Sequence, residues 1–190
     1  MDCIPSVYTQ FIRGSMASFF GPASASREDL TFLPSRRQRW DWIPQIASLV
    51  RKKRPDARIG AVGIMPEVDI EPVEPLEQVS DTELADLYRR SDVTLLTARE
   101  EGFGFPVLES LACGTPVVCG RNSALAEMGG DYVDFVEENA SPEAYAEKVL
   151  WRLENPPDDD WRRAASEYAR SFTWERTARA VMEVYRKAAR

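Results

Sequence analysis

The chain has 190 residues, 24 Lys and Arg against 31 Asp and Glu, a formal net charge of −7, and no histidine. That length fits one sizeable domain or a small pair, with a hydrophobic core that needs no disulfide or metal support. The missing histidines exclude a Ser-His-Asp triad or a His-based zinc site built from this chain alone, and the acidic balance argues against a dedicated nucleic-acid binder.

Cys3, Cys113 and Cys119 are odd in number and form no CxxC pair, so neither a disulfide framework nor a zinc cage is indicated. No run approaches the ~20 apolar residues of a membrane span, and the first residues lack the basic-then-apolar layout of a secretory signal. A soluble cytoplasmic protein is the expectation.

In chain order, residues 1 to 29 read as a lead-in, with a helix expected around Thr9 to Phe20 and stopped by Gly21 and Pro22. Leu30 to Leu33 reads as a strand ending at Pro34, followed by Arg36, Arg37 and Arg39. From Trp40 to Arg54 the residues Trp42, Ile43, Ile46, Leu49 and Val50 recur at helical spacing, and Pro44 sits early enough for a first turn. The closing run Arg51, Lys52, Lys53, Arg54 is read as cations at a helix C-terminus rather than as an anion patch.

Arg58 to Met65 is a candidate buried strand, and the stretch to Glu77, with Pro66, Pro72 and Pro75, reads as a surface loop. Ser80-Asp81-Thr82-Glu83 is a capping box that opens a helix carrying Leu84, Leu87 and Tyr88. Then come a strand at Val93 to Thr97, a glycine loop at 102 to 104, a helix from about Pro106 to Cys113 and a strand at 115 to 119. A short helix near Asn122 to Met128, an apolar run from Tyr132 to Val136, a helix opened by Ser141 and Pro142, and helices near 158 to 170 and 174 to 189 complete the chain. Alternating strands and helices imply an α/β, Rossmann-like, doubly wound and mostly parallel sheet, with ligands at the carboxyl ends of its strands. That places candidate ligand loops after Leu33, Met65 and Thr97.

The segment carrying chemistry is Arg99-Glu100-Glu101-Gly102-Phe103-Gly104-Phe105-Pro106-Val107-Leu108-Glu109. Gly102 and Gly104 permit a tight turn and a close backbone approach, and Pro106 is preset for a first helical turn. The backbone N–H groups so exposed, with the positive end of the helix dipole, suit a diphosphate. Glu101 and Glu109 flank that anion site, where a carboxylate is favourable only if it faces hydroxyl donors, as on sugars. From spacing alone the favoured reading of the two acids is a capping carboxylate and a surface helix residue. Walker A and dinucleotide fingerprints do not fit, since no Gly-Lys-Ser/Thr and no third glycine follow. Paired glycosidase acids remain a lower-ranked alternative.

The whole segment resembles the Glu-x7-Glu motif of retaining, GT-B fold glycosyltransferases (glycosyl transferases group 1, family 4). The resemblance extends through RPDARIGAVG, SDTELADLYRRSDV, LESLACGTPVV and the ending SFTWERTARAVMEVYRKAAR. It implies the C-terminal, donor-binding half of a GT-B fold over residues 30–190, with 1–29 as the remnant of an N-terminal domain. It also implies transfer of a hexose from a nucleoside diphosphate sugar with retention, no metal and no further cofactor. Glu101 would contact the transferred sugar and Glu109 the ribose, while backbone at Gly102, Phe103, Gly104 and Phe105 lines sugar and diphosphate.

The family's diphosphate-neutralising Arg and Lys have no clear equivalent. Pro34-Ser35-Arg36-Arg37-Gln38-Arg39-Trp40 stands there, with Arg39 at the Lys position and Arg36 as its partner. The expected partners are a nucleotide sugar and an N-terminal-type domain or partner subunit, against which the apolar side of the last helix, with Trp174, Val181, Val184 and Tyr185, would pack. The alternative is a noncatalytic nucleotide-sugar-binding or scaffold domain. Base selection is expected around Gln78 to Ser80.

Overall fold

A computed structural model describes residues 10–13, 39–62, 73–76, 79–99, 101–137 and 140–189. The described strands are β1 (Gln10–Arg13), β2 (Arg58–Val62), β3 (Glu74–Leu76), β4 (Val93–Leu96), β5 (Val117–Gly120) and β6 (Val133–Val136). The helices are α1 (Ile43–Lys53), α2 (Asp81–Arg90), α3 (Phe105–Ala112), α4 (Ser123–Gly129), α5 (Pro142–Glu154), α6 (Asp159–Arg170) and α7 (Trp174–Ala188). Short 3-10 turns at Trp40–Trp42 and Gly130–Tyr132 lead into α1 and β6.

The six strands form one sheet in the order β3-β2-β1-β4-β5-β6, the order of a doubly wound α/β sheet. β2 and β3 pair in parallel, as do β4 with β5 and β5 with β6. β1 is the exception, running antiparallel to both β2 and β4, with Phe11 opposite Gly60 on one side and Thr94 on the other. Within the helix expected over Thr9 to Phe20, Gln10–Arg13 is therefore a strand, and the rest of that stretch lies outside the described residues. Between two strands that both need ladder partners, Gln-Phe-Ile-Arg gains hydrogen bonds along both edges, and tertiary pairing outweighs local helical spacing. The expected strand at Leu30 to Leu33 lies outside the described residues.

The proline-rich stretch read as loop also contains a strand, β3. Pro75 is tolerated there because β3 is the edge of the sheet among the described residues, the position where prolines are accommodated. Arg58 and Glu74 cross-link the β2–β3 pair through a bidentate ion pair, Nε to Oε1 3.0 Å.

Alternation along the central strands feeds two apolar layers. Leu95 and Val118 join the layer containing Ile43, Ile46, Val50, Tyr145 and Val149, where α1 packs on α5. Leu96, Val117 and Cys119 join the layer containing Val107, Leu111, Leu125 and Ala165, where α3 packs on α6. The helices start where capping chemistry starts them. Ser80 and Glu83 form the reciprocal capping box of α2, Asn122 caps α4 by accepting from the Leu125 amide at 3.1 Å, and Pro142 occupies the first turn of α5. The basic run closing α1 is solvent-exposed through Lys53, and Arg54 pairs with Asp56 at 3.3 Å, the arrangement expected of cations at a helix C-terminus.

Candidate functional site

The loop after β4 delivers the glycine segment to the N-terminus of α3. Gly104 is the N-cap residue and sits at φ +95°, a left-handed conformation. A methyl group there would lie 3.1 Å from Leu125 Cδ2 and 3.6 Å from Met128 Cβ. Both backbone conformation and contact with α4 therefore select glycine at 104. Gly102 is different: it is exposed, needs no positive φ, and has nothing within 4 Å of where a Cβ would stand. Its bare backbone leaves open space rather than relieving strain.

Among the described residues, the amides of Phe103, Gly104 and Phe105 meet no protein acceptor, whereas those of Val107 and Leu108 both turn back to the Gly104 carbonyl. Three donors at the positive end of a helix thus remain for a ligand. Phe103 and Phe105 flank them as an exposed aromatic pair, with ring centroids 4.6 Å apart.

Glu101 is half-buried and accepts from the Gly102 amide at 2.9 Å through Oε1. That bond folds the carboxylate back over the turn. Glu109 lies four residues beyond the first residue of α3, about 6 Å along the helix axis. Its Oε2 accepts the Tyr88 hydroxyl at 2.9 Å. Burial raises the Glu109 pKa above the ordinary carboxylate range, the Tyr88 hydrogen bond opposes that rise, and the charge of Asp81 adds to it. With Oε2 engaged by Tyr88, Oε1 is the oxygen that remains for a hydroxyl ligand.

A buried polar relay fixes α3 behind this site. Ser110 Oγ donates to the Thr115 carbonyl at 2.9 Å, so its 2.7 Å contact with Thr94 Oγ1 must have Thr94 as donor. Thr115 Oγ1 in turn donates to the Tyr88 carbonyl. The relay ties β4, α3 and the end of α2 together, and places Tyr88 and Glu109 in register. The hydroxyl of Thr97, at the end of β4, is buried with no hydrogen-bond partner among the described residues.

On the other layer, Arg39 lies with its guanidinium 3.9 Å from the centre of the Trp42 ring. Of the sequence candidates, Glu101, Gly102, Phe103, Gly104, Phe105 and Glu109 thus meet around one helix N-terminus, and Arg39 lies just ahead of α1. Arg36 and Gln78 lie outside the described residues. Sequence reasoning missed Tyr88, which at helical spacing from Leu84 looks like another core residue. It also missed Trp42, whose apolar spacing hid its stacking role.

The profile of the glycosyl transferases group 1 family matches residues 67–172, more than half of the chain and the whole of the glycine segment. The chain belongs to this family. It is 34% identical over 131 residues to a D-inositol 3-phosphate glycosyltransferase of Nocardiopsis dassonvillei, covering 66% of this chain and 29% of that protein. It is 32% identical over 115 residues to the O-antigen chain mannosyltransferase B of Escherichia coli, covering 58% and 29%. The chain spans less than a third of the length of these curated relatives. Its fold matches the sucrose-phosphate synthase of Thermosynechococcus elongatus over 81% of this chain and 43% of that one, with a TM-score of 0.60 at 21% identity. It also matches a pneumococcal O-GlcNAc transferase, solved with UDP and GlcNAc, over 81% and 33%, with a TM-score of 0.62 at 16% identity. Among the described residues no helix is long and apolar enough to cross a membrane.

Proposed function

We propose that this chain is the nucleotide-sugar-binding half of a retaining glycosyltransferase. The observation that carries the reading is the open N-terminus of α3, with unengaged amides at Phe103, Gly104 and Phe105 and a carboxylate on either side of it, in a chain of the group 1 family. The amides take the diphosphate. Glu109, held by Tyr88, offers Oε1 to the ribose hydroxyls, and Glu101 accepts from hydroxyls of the transferred hexose. In the transfer, the bond between the anomeric carbon and the diphosphate oxygen breaks, the acceptor hydroxyl oxygen bonds to that carbon, and its proton leaves with the departing phosphate. Negative charge growing on the diphosphate is met by the α3 amides and Arg39, preorganised donors whose worth is greatest in the transition state. The reading assigns no metal and no cofactor besides the donor.

The acceptor belongs to a second domain or partner subunit. α7 suits that role on this side: Trp174 is 73% exposed and Tyr185 65%, with Val181, Met182 and Val184 also open to solvent. An apolar helix face of this kind marks an interaction surface.

Calorimetric titration of the chain with UDP-, GDP- and ADP-linked sugars, repeated with Glu109→Ala, tests the reading. Saturable binding of one nucleotide class that disappears in the variant supports it. A folded wild-type chain that binds none of them, even with a candidate partner added, leaves the noncatalytic scaffold as the better account.

A further inference from the structure

Arg39 and Trp42 are three residues apart, and the Trp42 amide donates to the Arg39 carbonyl at 3.0 Å. In a 3-10 turn, side chains at i and i+3 eclipse one another, and here the guanidinium lies over the indole ring with its carbon 3.9 Å from the centroid. Trp42 is itself held from behind. Its ring meets Tyr145 of α5 edge-on, with centroids 5.9 Å apart and planes at 74°. Tyr145 is 3% exposed, and burial pushes its phenol up, with the nearby Arg39 charge acting in the opposite direction.

The far end of this stack rests on the sheet. A methyl group on Gly120, the last residue of β5, would lie 2.6 Å from the Tyr145 hydroxyl and 3.8 Å from the Ala98 carbonyl. The same Ala98 carbonyl receives the Asn122 side-chain amide at 3.4 Å, and Asn122 caps α4, against which Gly104 packs. Stack and glycine loop therefore share one anchorage at the carboxyl ends of β4 and β5.

We infer that Trp42, braced by Tyr145, is the positioning residue of Arg39, holding its guanidinium as a preset cation for the donor's diphosphate. The inference rests on the donor-site reading above. A stacked arginine loses little further freedom on meeting an anion, whereas one on a free stem has to be ordered by the ligand. The edge-on contact explains why an aromatic stands at position 42: the ring presents its face to Arg39 and meets Tyr145 at the same time.

Two measurements on the whole chain test this. In the first, UDP, GDP, ADP and inorganic pyrophosphate are titrated into wild type, Arg39→Gln, Trp42→Phe, Trp42→Leu and the double variant Arg39→Gln/Trp42→Leu. Arg39→Gln is expected to weaken the best ligand at least about tenfold, and Trp42→Leu about three- to tenfold. Trp42→Phe is expected to stay near wild type, and the double variant to bind no worse than Arg39→Gln alone. The second measurement needs no ligand: the Arg39 Nε–H proton, lying over an indole, should resonate upfield in wild type, less so in Trp42→Phe, and at its ordinary position in Trp42→Leu. Equal losses on Trp42→Leu with and without Arg39, or wild-type affinity in a Trp42→Leu protein that has lost the shifted signal, overturn the proposal. A wild-type chain that shows the shifted proton but binds no nucleotide overturns the donor-site reading, and the diphosphate role of the stack with it. Absence of the shifted proton in a chain that does bind overturns the stack alone.

Discussion

Tyr88→Phe removes one oxygen and leaves a buried ring in place. Tyr88 is 1% exposed, and its hydroxyl donates to Glu109 Oε2 at 2.9 Å. A hydrogen bond to a charged group contributes about 1.5–3 kcal/mol when shielded, and the half-buried state of Glu109 puts the expected loss at the lower end, about 1–2 kcal/mol at neutral pH. The loss should depend on pH. Glu109 has its pKa raised by burial, so its contribution to stability is fullest below the ordinary carboxylate pKa and declines as pH rises through the folded value. Tyr88 opposes that decline by favouring the ionised form. In Tyr88→Phe, Glu109 titrates at higher pH than in wild type, and the stability gap between the two proteins is small in acid and widest at neutral pH. Urea unfolding at several pH values between acid and neutral, with the Glu109 carboxyl followed by NMR, measures both quantities. A gap that is the same at every pH, or a Glu109 pKa that does not rise in the variant, refutes this account of how the carboxylate is held.

Two further substitutions separate folding from binding. Gly104→Ala is expected to destabilise by at least about 1 kcal/mol, because its φ of +95° and the Leu125 contact both oppose a methyl group, whereas Gly102→Ala should unfold like wild type and lose donor affinity. Thermal melts beside the nucleotide titration read out both. Thr97→Val removes a buried hydroxyl that has no partner among the described residues, so it should stabilise by about 1 kcal/mol and raise Tm by roughly 2–4 °C; an unchanged or lowered Tm would show that the hydroxyl is satisfied in solution.

Much of the fold was legible because its signals are local. The Ser80–Glu83 box, the Asn122 cap, the proline-opened helices and the strand–helix–strand run from β4 to β5 each depend on a few neighbouring residues. β1 and β3 were not legible, since four residues of β1 carry no pattern that outweighs a helix, and β3 reads as loop until its edge position excuses Pro75. The candidate site divides in the same way. Glu101, the glycines and Glu109 lie in one contiguous stretch, and their gathering around a helix start follows from helix geometry. Tyr88 is 21 residues from the carboxylate that it holds, and Tyr145 meets Trp42 only through the packing of α5 on α1. No short window of sequence contains such pairs.

The polar relay from Thr94 through Ser110 and Thr115 to Tyr88 has a consequence for motion. Each link is a buried, directional bond, so α3 cannot slide along or roll on β4 without breaking the Thr94–Ser110 contact. Shear between packed elements, one of the two usual ways in which a protein closes on a ligand, is thereby opposed in the element that carries Glu109 and the open amides. Any closure over a ligand is thus expected to carry β4, α3 and the end of α2 together, so that the α3 amides arrive already aimed.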